Sequence, residues 1–139
     1  MKKISLTIIF LLFTSIAFGQ TIYTKTIASS VTIAASGVWT SEAIPLDAYR
    51  AGFYAIQITL TGDGTAKLEY QLSIDGTNYL EPASASDIAT GFTKTSGPGS
   101  DGKGLYDFFP MPAKSMKIIA TETGGASTVT VTLTLALAN

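Results

Sequence analysis

From Thr128 to Leu137 the chain alternates without a slip, with Val129, Val131, Leu133, Leu135 and Leu137 on one parity and Thr128, Thr130, Thr132 and Thr134 on the other. Successive side chains of a strand point to opposite faces, whereas a helix would scatter these apolar residues around its circumference. The run predicts a β-strand with one face in a core and one face hydroxylated, the pattern of antiparallel rather than parallel sheet. It carries no charge and no proline. Left at a sheet edge, such a strand is a template for a foreign strand. Two arrangements answer this: the run is central in its own sheet, or a partner covers it by strand addition. The flat segment Gln20–Ser30, charged only at Lys25, is a candidate for the donated strand.

The same period recurs upstream. Tyr54, Ile56, Ile58 and Leu60 alternate with Ala55, Gln57 and Thr59, and Ala66, Leu68, Tyr70, Leu72 and Ile74 with Lys67, Glu69, Gln71 and Ser73. Ile22–Ile27 and Ser30–Ala34 read as a strand pair or one bent strand; Val38–Ile44, Gly104–Phe109 and Ser115–Thr123 read as further strands. About eight or nine short strands, with no helical spacing between them, predict an all-β fold: an antiparallel two-sheet β-sandwich of immunoglobulin-like or jelly-roll kind. Gly62-Asp63-Gly64, Asp75-Gly76 and Gly124-Gly125 supply residues that tolerate the positive φ of tight turns. Taken as hairpins, they predict a meander of Phe53–Leu60, Ala66–Ile74 and Thr77–Leu80, and a hairpin of Ser115–Thr123 with Ser127–Leu137. The glycine-rich stretch Thr93–Gly104 reads as a mobile loop or a segment ordered by a partner.

Residues 1–19 differ in kind. Lys2 and Lys3 precede an uncharged stretch from Ile4 to Phe18, and Ala17 and Gly19 place small residues before Gln20. These are the three parts of a secretory signal peptide. The stretch is short of the roughly 20 apolar residues that a spanning helix needs, so an uncleaved membrane anchor is the weaker reading. The expected organisation is a leader over 1–19 and a single β-sandwich domain over 20–139, exported to the periplasm, cell surface or medium. After leader cleavage no membrane attachment is expected. The leader resembles those of Gram-negative bacteria.

The chain has no cysteine and no histidine. That removes disulfide scaffolds, Cys/His metal sites and the familiar nucleophile–histidine arrangements. Net charge is −1, and −3 without Lys2 and Lys3, so no electrostatic footprint for nucleic acid is present. Neither a G-x-S-x-G elbow nor a phosphate loop occurs, and no cofactor is implied.

Asp63, Asp75 and Asp101 each sit beside a glycine, where a turn role outweighs calcium, which wants several carboxylates together. Glycoside hydrolysis needs two carboxyls across a cleft. The pool is Glu42, Asp47, Glu69, Glu81, Asp87, Asp107 and Glu122, with Glu69 and Glu122 in the interiors of the longer predicted strands, at positions read as outward. The expectation is that the protein is not an enzyme. Of the aromatic residues, Tyr54 and Tyr70 fall on inward parity, while Trp39 and Tyr79 are candidates for stacking on a glycan. Phe108 and Phe109 open an apolar run, Phe-Phe-Pro-Met-Pro, that reads as a buried corner or a partner contact.

The stretch from Tyr54 to Tyr79 carries an Ile-Gln strand, a glycine-rich turn and then S-x-D-G-x-N-[YW] at Ser73, Asp75, Gly76, Asn78 and Tyr79. It resembles small β-sandwich proteins of phage structural gene clusters and of bacterial surfaces. The resemblance implies assembly, as a building block or decoration of a surface, filament or virion-like structure, through self-association or other structural subunits. The same segment is similar to the sialidase Asp-box, S-x-D-x-G-x-[TS]-W, but Gly76 follows Asp75 directly and Tyr79 stands where that motif has Trp. The alternative is a monomeric secreted module that binds carbohydrate or another ligand.

Overall fold

The computed structural model describes residues 22–46, 53–83 and 87–138; the expected leader, Asp47 and Tyr49 lie outside them. Nine strands form within the described residues: β1 (Ile22–Ile33), β2 (Val38–Thr40), β3 (Ile44–Pro45), β4 (Tyr54–Gly62), β5 (Ala66–Ser73), β6 (Ala89–Phe92), β7 (Lys103–Phe108), β8 (Ser115–Glu122) and β9 (Val129–Ala138). They make two antiparallel sheets, one in the order β1-β9-β4-β7 and one in the order β2-β8-β5-β6, with β3 also paired to β8. With short β3 set aside, this is the strand order of an eight-stranded jelly roll. The immunoglobulin-like alternative gives way to it.

The alternating run is central. β9 pairs with β1 on one side and β4 on the other, so its backbone groups are satisfied within the chain and it offers no free edge. Its apolar parity, Val129 through Leu137, is fully buried against Ile56, Ile58, Leu68, Met116 and Ile118. Its threonine parity is stitched to β1: Thr134 to Thr26 at 3.3 Å, Thr130 to Thr32 at 3.2 Å, and the Thr132 hydroxyl to the Ser30 amide at 3.0 Å. β1 is the single bent strand, with register shifts between Thr26 and Val31 and a left-handed Ser30. Residues 22–30 of the candidate donor segment therefore pair with their own β9, which replaces strand donation as the answer to the edge problem.

Two expected hairpins are corrected. β4 and β5 lie in different sheets, as do β8 and β9. A glycine-rich turn marks where the chain reverses; it does not record whether the next strand stays in the sheet. Both solutions bury the same parity, so alternation cannot separate them. Thr77–Leu80 adds no strand to the meander beyond one bridge, Leu72 to Leu80. Gly62 shows what the crossing demands: φ is +94°, and a Cβ there would sit 2.6 Å from the Thr128 carbonyl.

Glu122 is also corrected, from outward to buried. It shares the parity of Met116, Ile118 and Ala120, and it enters the interior because four backbone amides meet it. Ser36 and Gly125 donate to Oε2 at 2.8 and 2.9 Å, and Thr65 and Gly124 to Oε1 at 3.1 and 2.8 Å. These amides belong to three separate crossings between the sheets: β1 to β2, β4 to β5, and β8 to β9. The Ser36 and Thr65 amides, then those of Gly125 and Gly124, lower its pKa from 4.5 to about 2 against the opposing effect of burial.

A depressed carboxyl contributes stability that is present above its ordinary value and is lost as pH falls towards its folded value. Thermal melts of the wild type should lose stability between pH 4.5 and about 2. Glu122→Gln, which turns an N–H group towards amides that are themselves donors, should lower the melting temperature at pH 7 by roughly 10 °C and flatten that acid limb. A variant as stable as wild type at pH 7 would show that the crossings hold without the carboxylate.

Candidate functional site

The end of the sandwich opposite Glu122 is built from the exit of β5, the approach to β8, and the starts of β1 and β4. Beyond β5 the chain turns on Asp75. Its Oδ1 accepts from the Ser73 hydroxyl at 2.8 Å and from the Thr77 and Asn78 amides at 2.7 and 2.8 Å, and its Oδ2 from Asn78 Nδ2 at 2.6 Å. The Asn78 and Thr77 amides, followed by the Asn78 and Ser73 side chains, hold this carboxyl well below the usual aspartate range. The Gly76 amide adds a bond to Ser73 Oγ at 2.9 Å within the turn, and Lys114 Nζ reaches the Asp75 carbonyl from outside it at 3.3 Å. The turn throws Ile74 and Leu80 outward, 85% and 72% exposed. With Leu72, Pro82, Met111 and Pro112 they line an apolar groove of about 360 Å³.

At the same end, bordering a separate apolar hollow with Ala55 and Ala136, stand Phe53 and Phe109, 61% and 58% exposed, packed edge to face with centroids 5.0 Å apart. Ile22 flanks them. Ile22, Tyr23, Phe53, Ile74, Leu80, Phe109 and Met111 are seven of the nine large apolar residues with major exposure among the described residues, and all belong to this end. The other two are Val38, on β2, and Leu105, on the edge strand β7.

The four residues singled out in the sequence separate. Phe108 is core, against Tyr54 and Tyr70 at 5.7 and 5.5 Å between centroids, while its neighbour Phe109 belongs to the apolar end. The Phe-Phe-Pro-Met-Pro run is thus a buried corner at Phe108 and a surface from Phe109 onward. Tyr79 is half-buried; its hydroxyl bonds Ser115 Oγ at 2.9 Å and Lys117 Nζ lies 4.3 Å over its ring. Trp39 packs against the core edge on β2 and borders a groove of about 320 Å³ with Lys25, Ser41 and Glu42. Tyr79 and Trp39 do not line a common groove. The sequence reading passed over Phe53, Ile74 and Leu80 as residues of this end and included Met111 only within the Phe-Phe-Pro-Met-Pro run. Parity placed Ile74 inward, and only the Asp75 turn reverses it.

The carboxylates that meet are Glu69, Glu81 and Asp87, whose oxygens lie within 4.8 Å of one another. Lys67 sits among them, paired to Glu69 and, at 3.3 Å, to Asp87. Glu69 first, then Asp87, holds the Lys67 ammonium above its ordinary pKa. The carboxylates of the Asp-Gly turns do not join a cluster among the described residues: Asp63 pairs with Lys94, and Asp101 with Lys103 at 3.2 Å. Among the described residues no helix is long and apolar enough to cross a membrane.

No family model and no curated protein sequence matches the chain. Its fold is shared with solved structures at low identity. The VP2 subviral particle of infectious bursal disease virus gives a TM-score of 0.55 at 12% identity, over 87% of this chain and 33% of that one. Tripeptidyl peptidase 2 gives 0.53 at 9% identity, over 86% and 10%. The chain thus spans a third of the first and a tenth of the second. A Bacillus endospore appendage protein covers 85% of this chain and 88% of its own at 18% identity, with a TM-score of 0.44 that carries no argument. These likenesses establish the sandwich and nothing about its use.

Asp75→Ala should release the turn without disturbing the sheets. Amide exchange at Thr77 and Asn78 is expected to rise roughly tenfold or more, with protection over β8 unchanged. Unaltered exchange at both amides would show that the turn holds itself.

Proposed function

We propose that the chain is an exported, non-enzymatic structural protein, a β-sandwich subunit of a cell-surface, filament or virion-like assembly. The observation that carries this reading is the concentration of exposed apolar side chains at one end of the body. A soluble monomer seldom keeps a contiguous apolar patch of more than about 300–600 Å², because such a patch invites association. The jelly-roll order and the likeness to a VP2 that forms a subviral particle agree with a building-block role. The leader-like residues 1–19 support export. The phage- and surface-type resemblance of the Tyr54–Tyr79 stretch points the same way.

Non-enzymatic character is supported by how the carboxylates are used. Glu122 is saturated by amides, Asp75 by its own turn, and Glu69 and Asp87 by Lys67. The second reading, a monomeric ligand-binding module, rests on the polar groove beside Trp39.

Sedimentation velocity of residues 20–139 separates the two readings. The assembly reading expects a weight-average mass that rises with concentration through the micromolar range, with Trp39 fluorescence unchanged across a panel of polysaccharides. A monomer at every concentration, with fluorescence that shifts and saturates on one glycan, would replace assembly by ligand binding.

A further inference from the structure

The assembly reading leaves the contact unspecified; resting on it, the geometry points to a two-fold pairing of two copies through the apolar end. In that pairing, Phe53 and Phe109 of each copy enter the groove between Ile74, Leu80 and Met111 of the other.

Three observations carry this choice of occupant. The first is area. Ile22, Phe53, Ile74, Leu80, Phe109 and Met111 are 52–85% exposed, so at about 150–200 Å² for each whole side chain they present roughly 600–800 Å² together. An ordinary stable interface buries about 800 Å² per partner. The second is shape. The exposed edge-to-face Phe53–Phe109 pair and a groove of about 360 Å³, room for an aromatic ring, lie at the same end of the body, the pair bordering a hollow of its own. A ring pair and a hollow at one end of the body can be matched under a two-fold axis, since each copy offers what the other receives.

The third is chemistry. A head-to-tail stack would set this end against the Glu122 end, where the crossings present Asp63, Lys94, Asp101 and Lys103, all largely exposed. Apolar side chains would then face charged loops and desolvate them without compensation. Apolar end against apolar end buries like with like. The contact is therefore isologous and closed, and it makes a dimer rather than a filament by itself. Larger assembly needs a second surface.

The test uses residues 20–139 and the absence of native cysteine. Sedimentation equilibrium should give a dimer that Phe53→Ser/Phe109→Ser converts to monomer, weakening association at least a hundredfold with the melting curve retained. Leu105→Ser, on the β7 edge, should leave the dimer intact. In a second measurement, Phe109→Cys protein mixed with Leu80→Cys protein should form a mixed disulfide dimer faster than either alone, a readout that does not depend on the double variant folding. Oligomers that survive Phe53→Ser/Phe109→Ser would overturn this interface and leave the assembly reading standing. A wild-type chain that stays monomeric would overturn both.

Discussion

The carboxylate of Glu122 joins parts of the chain that nothing local would bring together. A jelly roll is a long antiparallel ribbon, β1 against β9, β2 against β8, β4 against β7 and β5 against β6, folded over itself so that its turns become crossings between two sheets. Each crossing leaves amides that no ladder satisfies, and buried amides need partners. At Ser36, Thr65, Gly124 and Gly125 the partner is one side chain. Two separate bends of the ribbon are thereby fixed to a single point. The charge is tolerated inside because four donors replace the water it gives up. Gly64 belongs to the same arrangement: a Cβ there would fall 2.9 Å from Glu122 Oε1 and 2.7 Å from Val129.

How much of this was legible in the sequence follows from what alternation encodes. Parity in Val129–Leu137 and Tyr54–Leu60 told which side chains are core, and the uncharged last strand told that its edges had to be covered. Both hold because burial is a property of one strand and its two faces. Sheet membership is a property of pairs. Gly62-Asp63-Gly64 and Gly124-Gly125 have turn chemistry suited equally to a hairpin or an arch, so β4 with β5 and β8 with β9 were read as hairpins. Glu122 had the inward parity of Ile118 and Ala120, but a lone carboxylate is inward only when donors gather around it. Those donors lie 86 and 57 residues away in the chain at Ser36 and Thr65.

The apolar end was legible in the same partial way. The Phe108–Pro112 run was visible as apolar, and Phe109 was named. Ile74 was hidden by continuity with the inward parity of Leu72, while Phe53 lies on the outward parity of Ala55, just ahead of the alternating run. Phe53 precedes the first paired residue of β4, and Ile74 follows the last of β5. Alternation stops meaning anything once a strand leaves its sheet, so side chains one step past a strand end are free to point outward. At Ile74 the Asp75 turn enforces this: the carboxylate ties Ser73, Thr77 and Asn78 together and leaves Ile74 on the outside of the loop.

The two ends of the sandwich therefore differ for one reason. At the Glu122 end three crossings are tied, and the surface above them is free to be polar, with Asp63–Lys94 and Asp101–Lys103 pairs in solvent. At the opposite end two turns approach each other over Leu72 without a central ligand. The space between them is lined by Ile74, Leu80 and Met111 instead of being filled by them. A cavity in a core is closed by collapse, at a stability cost that grows with its volume. Here Pro110 and Pro112 stiffen one wall and Asp75 the other, so collapse is resisted from both sides. A groove held open by its own walls is removed from water only by something that enters it, which in the proposed pairing is Phe53 and Phe109 of another copy.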